Sequence, residues 1–196
     1  MNLNSTDHIL KIVAIGPEST GKSTLCAELA LHFSTHWCQE YARDYLIKNG
    51  TDYSYEDLLL IAKGQLALEE KALQELSIVH STNPSTERPI LFVDTDMYVM
   101  KVWSEFVFDQ CDPWILNQIA ERKYDGYLLC KHDIPWTKDV LREYPEIGKR
   151  ESLYNYYKDI LINQQTPWFE VTGLDVERTG QAIKWVEVLR KSIQAT

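Results

Sequence analysis

Gly16-Pro17-Glu18-Ser19-Thr20-Gly21-Lys22-Ser23 fits G-x-x-x-x-G-K-[ST] in full. The spacing suits an anion, because a loop of this kind wraps one with backbone N–H groups and glycine permits the conformation required. A helix starting at Lys22 points the positive end of its dipole at the same place. Lys22 would reach the β- and γ-phosphates of a nucleotide and the Ser23 hydroxyl would bind Mg²⁺. Gly16, Glu18, Ser19, Thr20, Gly21 and Thr24 complete the expected cradle. The chemistry implied is nucleoside-triphosphate binding, with ATP and Mg²⁺ the expected ligands; these residues leave ATP against GTP open.

Such a site also needs a carboxylate at the end of a nearby strand to hold the metal's water shell. Ile90-Leu91-Phe92-Val93 is an apolar run ending in Asp94, with Asp96 two residues on. Asp94 is expected at the metal and Asp96 at the substrate, with the choice between Glu40 and Asp96 as the acid that orients the acceptor hydroxyl left open. The alternative for either is a cap on the following helix, a frequent position for Asp. Gln39-Glu40-Tyr41-Ala42-Arg43-Asp44-Tyr45 gathers acids, an arginine and tyrosines where an acceptor would sit. A carboxylate there could hold ribose hydroxyls or take the proton of an attacking hydroxyl, and Arg43 could steady the transferred phosphate. A solvated helix start with an Arg–Asp pair is the plainer alternative. Asp133 to Arg142 is a candidate lid, since phosphoryl transfer needs cations on the γ-phosphate and a cover against water. Arg142, Lys149 and Arg150 are its candidate cations. Alternatively, Pro135 makes a turn and Trp136 is a partly buried anchor.

Short apolar runs alternating with helical patterns must position these residues. Ile9–Ile15, Trp37–Tyr41, Ile90–Val93, Tyr127–Lys131 and Trp168–Val171 read as strands, the apolar ones as buried strands. Helices are expected from Lys22 to about Phe33, Ala42 to Ile47, Glu56 to Val79, Met97 to Val107, Pro113 to Lys123 and Glu151 to Asn163. In the long helix Leu59, Ala62, Leu66, Leu73 and Leu76 fall on one face. A closing helix buries Ala182, Val186, Leu189 and Ile193. Strand–helix alternation predicts a three-layer α/β/α domain with a mostly parallel central sheet and its sites at the strands' carboxyl ends. The whole chain, 1–196, reads as one domain with a core over about 9–190 and a lid over about 133–150.

With 196 residues, 20 Lys+Arg against 29 Asp+Glu and a net charge of −9, the chain has the profile of a globular protein. The acidic balance argues against a nucleic-acid or membrane-surface partner. No apolar run approaches the ~20 residues of a membrane span, and the polar N-terminus lacks a signal-peptide pattern. Cys26, Cys38, Cys111 and Cys130 are scattered, as expected of cytoplasmic thiols. Lys131-His132-Asp133 mimics the guanine-reading N-K-x-D, but Cys130 stands at its first position and no D-x-x-G follows Asp94. The histidines have no metal-ligand spacing. An AAA+ machine is not expected, for want of room for a helical lid domain.

GPESTGKST, EYARDY, Gly64-Gln65, FVDTD and DIPWTKDVLR, in that order, resemble the ribosylnicotinamide kinase domain of the NadR-type family over about residues 9 to 190. The resemblance implies a P-loop kinase-like fold and ATP·Mg²⁺-dependent phosphorylation of the 5′-hydroxyl of nicotinamide riboside, giving nicotinamide mononucleotide for NAD synthesis. It places Lys22 and Ser23 on ATP and metal and makes Asp94 the Walker B acid. Glu40, Tyr41, Arg43 and Asp96 would line the riboside site, with Trp136 and Arg142 closing over it. The adenylyltransferase motif H-x-G-H of bifunctional relatives is absent. The family holds the nicotinamide ring between two aromatic side chains; the corresponding places here hold Gln39 and Leu68, with Trp37 nearby but out of register. A kinase for another nucleoside, and a binding or regulatory ATPase with no small acceptor, are the alternative readings.

Overall fold

The computed structural model describes residues 9–82, 87–141 and 144–194. Within these residues five strands form one sheet: β1 (Leu10–Ile15), β2 (His36–Cys38), β3 (Ile90–Asp94), β4 (Gly126–Cys130) and β5 (Trp168–Val171). Their order is β2-β3-β1-β4-β5 and every pairing is parallel. Among the described residues seven helices connect and cover them: α1 (Lys22–His32), α2 (Tyr41–Asn49), α3 (Tyr55–Thr82), α4 (Met97–Phe108), α5 (Pro113–Glu121), α6 (Ile147–Ile162) and α7 (Asp175–Gln194).

The three inner strands are apolar almost end to end because both faces are covered. Leu10, Ile12 and Ala14 of β1 point with Phe92 and Leu128 toward Leu25 and Leu29 of α1 and Ala182 and Val186 of α7. Val13, Ile15, Val93 and Leu129 face the other way, against Leu76, Val102, Leu153 and Leu161 of α3, α4 and α6. A third cluster joins α2, α3, α4 and α5 beside the sheet through Leu46, Ile61, Leu66, Met100 and Ile115. The expected three-layer arrangement is present, and the described sheet is wholly parallel.

Several boundaries differ from the sequence expectation. β2 ends at Cys38, and α2 begins at Tyr41 with Glu40 as its N-cap residue. The side-chain amide of Gln65 stops the strand by taking the Gln39 carbonyl as an acceptor at 3.2 Å. In α3 the buried face carries Leu58, Ile61, Gln65 and Glu69 besides Ala62, Leu66 and Leu76, whereas Leu59 and Leu73 are only partly covered. Helix α6 starts at Ile147, so residues 147–150 of the expected lid are helical.

Register sets the site. Ala14 pairs with Asp94 across β1 and β3, and Cys38 pairs with Val93 across β2 and β3. Gly16, Asp94 and Glu40 therefore emerge side by side at the carboxyl edge of adjacent strands, where an open α/β sheet presents its ligand crevice.

Candidate active site

The loop from Gly16 to Gly21 is tight because its surroundings leave no alternative. A Cβ at Gly16, where φ is +142°, would lie 2.6 Å from the Cys130 carbonyl oxygen. Gly21, with φ of 75°, caps α1, and Ser19 also takes a left-handed conformation at φ 55°. Thr20 is buried and donates its hydroxyl to the Pro17 carbonyl at 2.8 Å, so it braces the loop from within. The Lys22 ammonium spans the loop, bonded to the carbonyls of Gly16 (3.1 Å) and Pro17 (2.9 Å). A cation over a loop of N–H groups at a helix start is an anion site.

The Ser23 hydroxyl donates to Oδ2 of Asp94 at 2.5 Å, linking the loop helix to the end of β3. Asp94 is fully buried, and its Oδ1 finds no hydrogen-bond partner by distance and angle among the described residues. Burial raises its pKa, with Lys22 pulling the other way. Glu40, half-buried in the cleft wall, is also raised, first by burial and next by the charge of Asp94. Two crowded carboxylates and a hydroxyl form a hard-oxygen donor set whose repulsion a divalent cation would relieve, so the residues fit Mg²⁺. Among the described residues no group of three or more His, Cys, Asp or Glu gathers into a metal cage.

Glu40 owes its place to Gly64 and Gln65. The ring of Tyr41 occupies the space where any Gly64 side chain would be, at 2.1 Å from a Cβ built there. Oε1 of the Gln65 side chain accepts from the Tyr41 N–H at 2.7 Å, while its Nε2 donates to the carbonyls of Gln39 and Asp94, each at 3.2 Å. One amide thus ties the end of β2, the start of α2 and the end of β3. Tyr41, expected on the substrate, is spent on this packing and does not line the cleft.

Asp96 also departs from its expected place. Its Oδ1 accepts from the N–H groups of Tyr98 (3.0 Å) and Val99 (3.3 Å), and its Oδ2 from the Tyr127 hydroxyl at 3.1 Å. It is buried behind Asp94 as the N-cap of α4, outside the cleft lining, and burial pushes its pKa up to about 7. The capping alternative describes its geometry.

The segment after β4 is hooked onto the loop by the loop's own side chains. Glu18 Oε1 accepts from the Trp136 indole at 3.2 Å and from the Tyr144 N–H at 2.8 Å, and the Ser19 hydroxyl accepts from the Thr137 N–H at 3.2 Å. Trp136 is therefore an anchor of the cover and not part of the cleft wall. Arg43 forms a two-pronged pair with Asp139 at 3.3 and 3.0 Å, joining α2 to this cover. Arg142 lies outside the described residues. Arg150 is buried and donates to the His132 carbonyl at 3.2 Å, and Lys149 lies 5.2 Å from the Tyr144 ring; neither lines the cleft.

Sequence reasoning missed Arg178. Only 5% exposed, it bonds the carbonyls of Thr20, Lys131 and Gly173 and the Asp133 carboxylate, all within 3.0 Å. It thereby fixes the underside of the phosphate loop to the carboxyl ends of β4 and β5. The other Asp133 oxygen accepts from the Gly173 N–H, so both are committed to the scaffold and the base-reading mimicry ends there. The cleft itself, about 490 Å³, runs from the phosphate loop past Glu40 and Arg43 to Trp103, Phe106 and Tyr144. The signal for the α4 pair was Val99, Trp103 and Phe106 at i, i+4, i+7, a stripe that reads equally as core.

Residues 11–190 match a family model described as an AAA domain. The sequence is 26% identical over 184 residues to the trifunctional NAD biosynthesis/regulator protein NadR of Salmonella typhimurium (strain LT2), covering 92% of this chain, and likewise to that of Escherichia coli (strain K12). The chain spans 42% of the length of these curated relatives. Among solved structures, a NadR protein in complex with NR superposes with a TM-score of 0.71 at 19% identity, over 95% of this chain and 51% of that one. Thymidylate kinase from Ehrlichia chaffeensis does so with a TM-score of 0.61 at 12% identity, over 92% of this chain and 98% of that one. At these identities the likeness establishes a fold shared with P-loop kinases. No helix among the described residues is long and apolar enough to cross a membrane.

Proposed function

The chain belongs to the AAA domain family over residues 11–190, and from that premise we propose that it is a nucleoside kinase transferring the γ-phosphoryl group of ATP to the 5′-hydroxyl of nicotinamide riboside. One observation carries the reading: a single cleft joins the phosphate loop, the Ser23–Asp94 pair and Glu40 to an aromatic wall large enough for a base. A binding ATPase has no use for the far half of that cleft. The sequence similarity to NadR, an NAD biosynthesis/regulator protein, is what supports nicotinamide riboside among nucleosides in this reading. What the family model covers here is the sheet and its flanking helices.

In the proposed reaction the loop amides and Lys22 hold the β- and γ-phosphates. Ser23 and Asp94 would hold Mg²⁺, which when bound neutralises charge developing on the transferred group. Glu40 accepts a hydrogen bond from the acceptor hydroxyl and points its oxygen at the γ-phosphorus. The new P–O bond forms in line as the bond to the β-phosphate oxygen breaks, and the hydroxyl proton passes toward Glu40. A loose transition state asks little of a base, so Glu40 chiefly orients. Arg43, released from Asp139, and Arg142 are assigned to the transferred charge. With its oxygens committed to capping, Asp96 keeps α4 and Asp94 in place in this scheme.

The test is ADP release from ATP·Mg²⁺ with a panel of nucleosides, using Lys22→Ala as the blank. Stimulation by nicotinamide riboside supports the proposal. Stimulation only by another nucleoside moves the acceptor, and hydrolysis indifferent to all of them overturns the kinase reading.

A further inference from the structure

Phosphate loops grip their anion with N–H groups and a cation, so a carboxylate inside one calls for a reason. Glu18 lines the cleft from within the loop, where its charge opposes the phosphates. The shape of the loop is braced by other groups: the Thr20 hydroxyl on the Pro17 carbonyl, the Lys22 ammonium on the Gly16 and Pro17 carbonyls, and Arg178 on the Thr20 carbonyl. Glu18 reaches outward instead. Its Oε1 accepts from the Trp136 indole at 3.2 Å and from the Tyr144 N–H at 2.8 Å, and beside it the Ser19 hydroxyl accepts from the Thr137 N–H at 3.2 Å. Hydrogen bonds to a charged acceptor are the stronger kind, and here one oxygen draws Trp136 and Tyr144 to a single point.

Glu18 thereby decides where the outer wall of the cleft stands. Asp139, Leu141 and Tyr144 line that wall, and all three belong to the stretch gathered at Glu18. Across the cleft the same stretch is tied to α2 by the Arg43–Asp139 pair, and Asp139 Oδ1 also accepts from the Leu141 N–H at 3.1 Å. The two ties are unequal. The Arg43 side chain is 50% exposed, and an ion pair so open to water contributes little. The bonds from Trp136, Thr137 and Tyr144 are part-buried, so the loop side carries the wall. A wall that drifted would admit water, which competes with the acceptor hydroxyl for the γ-phosphoryl group. The acceptor would lose contacts in the same drift, whereas phosphates held by the loop amides and Lys22 would not.

Resting on the kinase reading above, we propose that Glu18 is a positioning residue for the acceptor half of the cleft. From inside the phosphate loop it holds the wall that keeps the acceptor in and water out, and it adds nothing to the hold on the nucleotide. Glu18→Ala removes the hook, whereas Glu18→Gln keeps an oxygen that accepts from the same two N–H groups. In Glu18→Ala the KM for nicotinamide riboside should rise about 10-fold, the scale of a lost bond to a charged group. ADP release from ATP·Mg²⁺ with no acceptor present should gain on coupled turnover. Calorimetric titration with ADP·Mg²⁺ should show binding no weaker than in the wild type, because a like charge has gone. Exchange of the Tyr144 amide, followed by NMR on the full chain, should quicken by about 10-fold. Glu18→Gln should restore most of the KM and the slow exchange. Trp136→Phe keeps a ring and loses one donor; it should move the KM the same way by a smaller factor, and it carries the test if Glu18→Ala does not fold. A Glu18→Ala protein that binds ADP·Mg²⁺ more weakly while its acceptor KM and acceptor-free ADP release stay at wild-type values overturns the proposal. So does a Glu18→Gln protein no better than the alanine variant. In both cases a wild-type chain that phosphorylates nicotinamide riboside keeps the kinase reading. A chain that phosphorylates no nucleoside loses that reading and the acceptor role of Glu18 together.

Discussion

A Cβ at position 64 would sit 2.1 Å from Cε1 of Tyr41, so the glycine of the long helix α3 is the seat of the tyrosine that opens α2. The contact matters because Glu40 and Arg43 flank that tyrosine. Alanine for glycine in an unencumbered helix interior gains roughly 0.5–1 kcal/mol. Here the sign should reverse. Gly64→Ala should lose about 1–3 kcal/mol by overpacking, read as a lower denaturant midpoint. Gly180→Ala in α7, where nothing lies within 4 Å, should give the ordinary gain. A stabilised Gly64→Ala protein would show that Tyr41 is not held there.

The Ser23–Asp94 bond at 2.5 Å makes the metal assignment testable from both ends. Asp94→Asn keeps the shape and removes the charge, so saturation by Mg²⁺ should demand far higher concentrations, with the rate reduced by at least about 10²-fold. It should also relieve the repulsion that raises Glu40. Lys22→Ala should abolish transfer while leaving the circular dichroism spectrum intact. An unchanged Mg²⁺ dependence in Asp94→Asn would move the metal elsewhere.

Glu40 is raised above the ordinary glutamate range by burial first and by Asp94 second, with Lys22 and Arg43 opposing. A group raised in this way protonates earlier as pH falls. The acid limb of kcat/KM for the nucleoside should therefore lie above the usual carboxylate range, with activity lost below it. Glu40→Gln should remove that limb and slow turnover by about 10²-fold, the low end for a positioned acid–base group. A pH profile that keeps its acid limb in Glu40→Gln assigns the titration to another group.

The phosphate loop and Asp94 were legible because each is written in adjacent residues: a full motif, and an apolar run ended by an acid. The buried strands were legible for the same reason. What escaped is what the chain writes across long separations. Gln65 enters the sequence reading only as half of the Gly64-Gln65 motif; its bonds to Gln39 and Asp94 are visible only once the fold brings them together. Arg178 meets Thr20 across 158 positions. The face of α3 was misplaced for a related cause: its buried side carries Gln65 and Glu69, so the apolar residues alone mark the stripe poorly. Asp96 shows a different limit. The residue type that serves acceptor chemistry also caps helices, and only the hydrogen bonds to Tyr98, Val99 and Tyr127 separate the two.

Asp96 supplies a test of that separation through stability. Burial raises its pKa to about 7 in the folded chain, against about 3.9 when exposed. Between those values the folded state binds the proton and the unfolded state does not, so the stability it contributes is complete at low pH and is lost as pH rises toward 7. Asparagine caps helices about as well as aspartate and carries no charge. Asp96→Asn should therefore keep the cap and lose this pH dependence. Thermal unfolding from pH 4 to 8 should show wild-type Tm falling relative to the variant, with the gap in favour of the variant widest above pH 7. Turnover in the variant should fall by less than about 10-fold, because the oxygens of this acid are taken up by the α4 cap and Tyr127. A collapse of kcat with an unchanged stability profile would return Asp96 to the substrate.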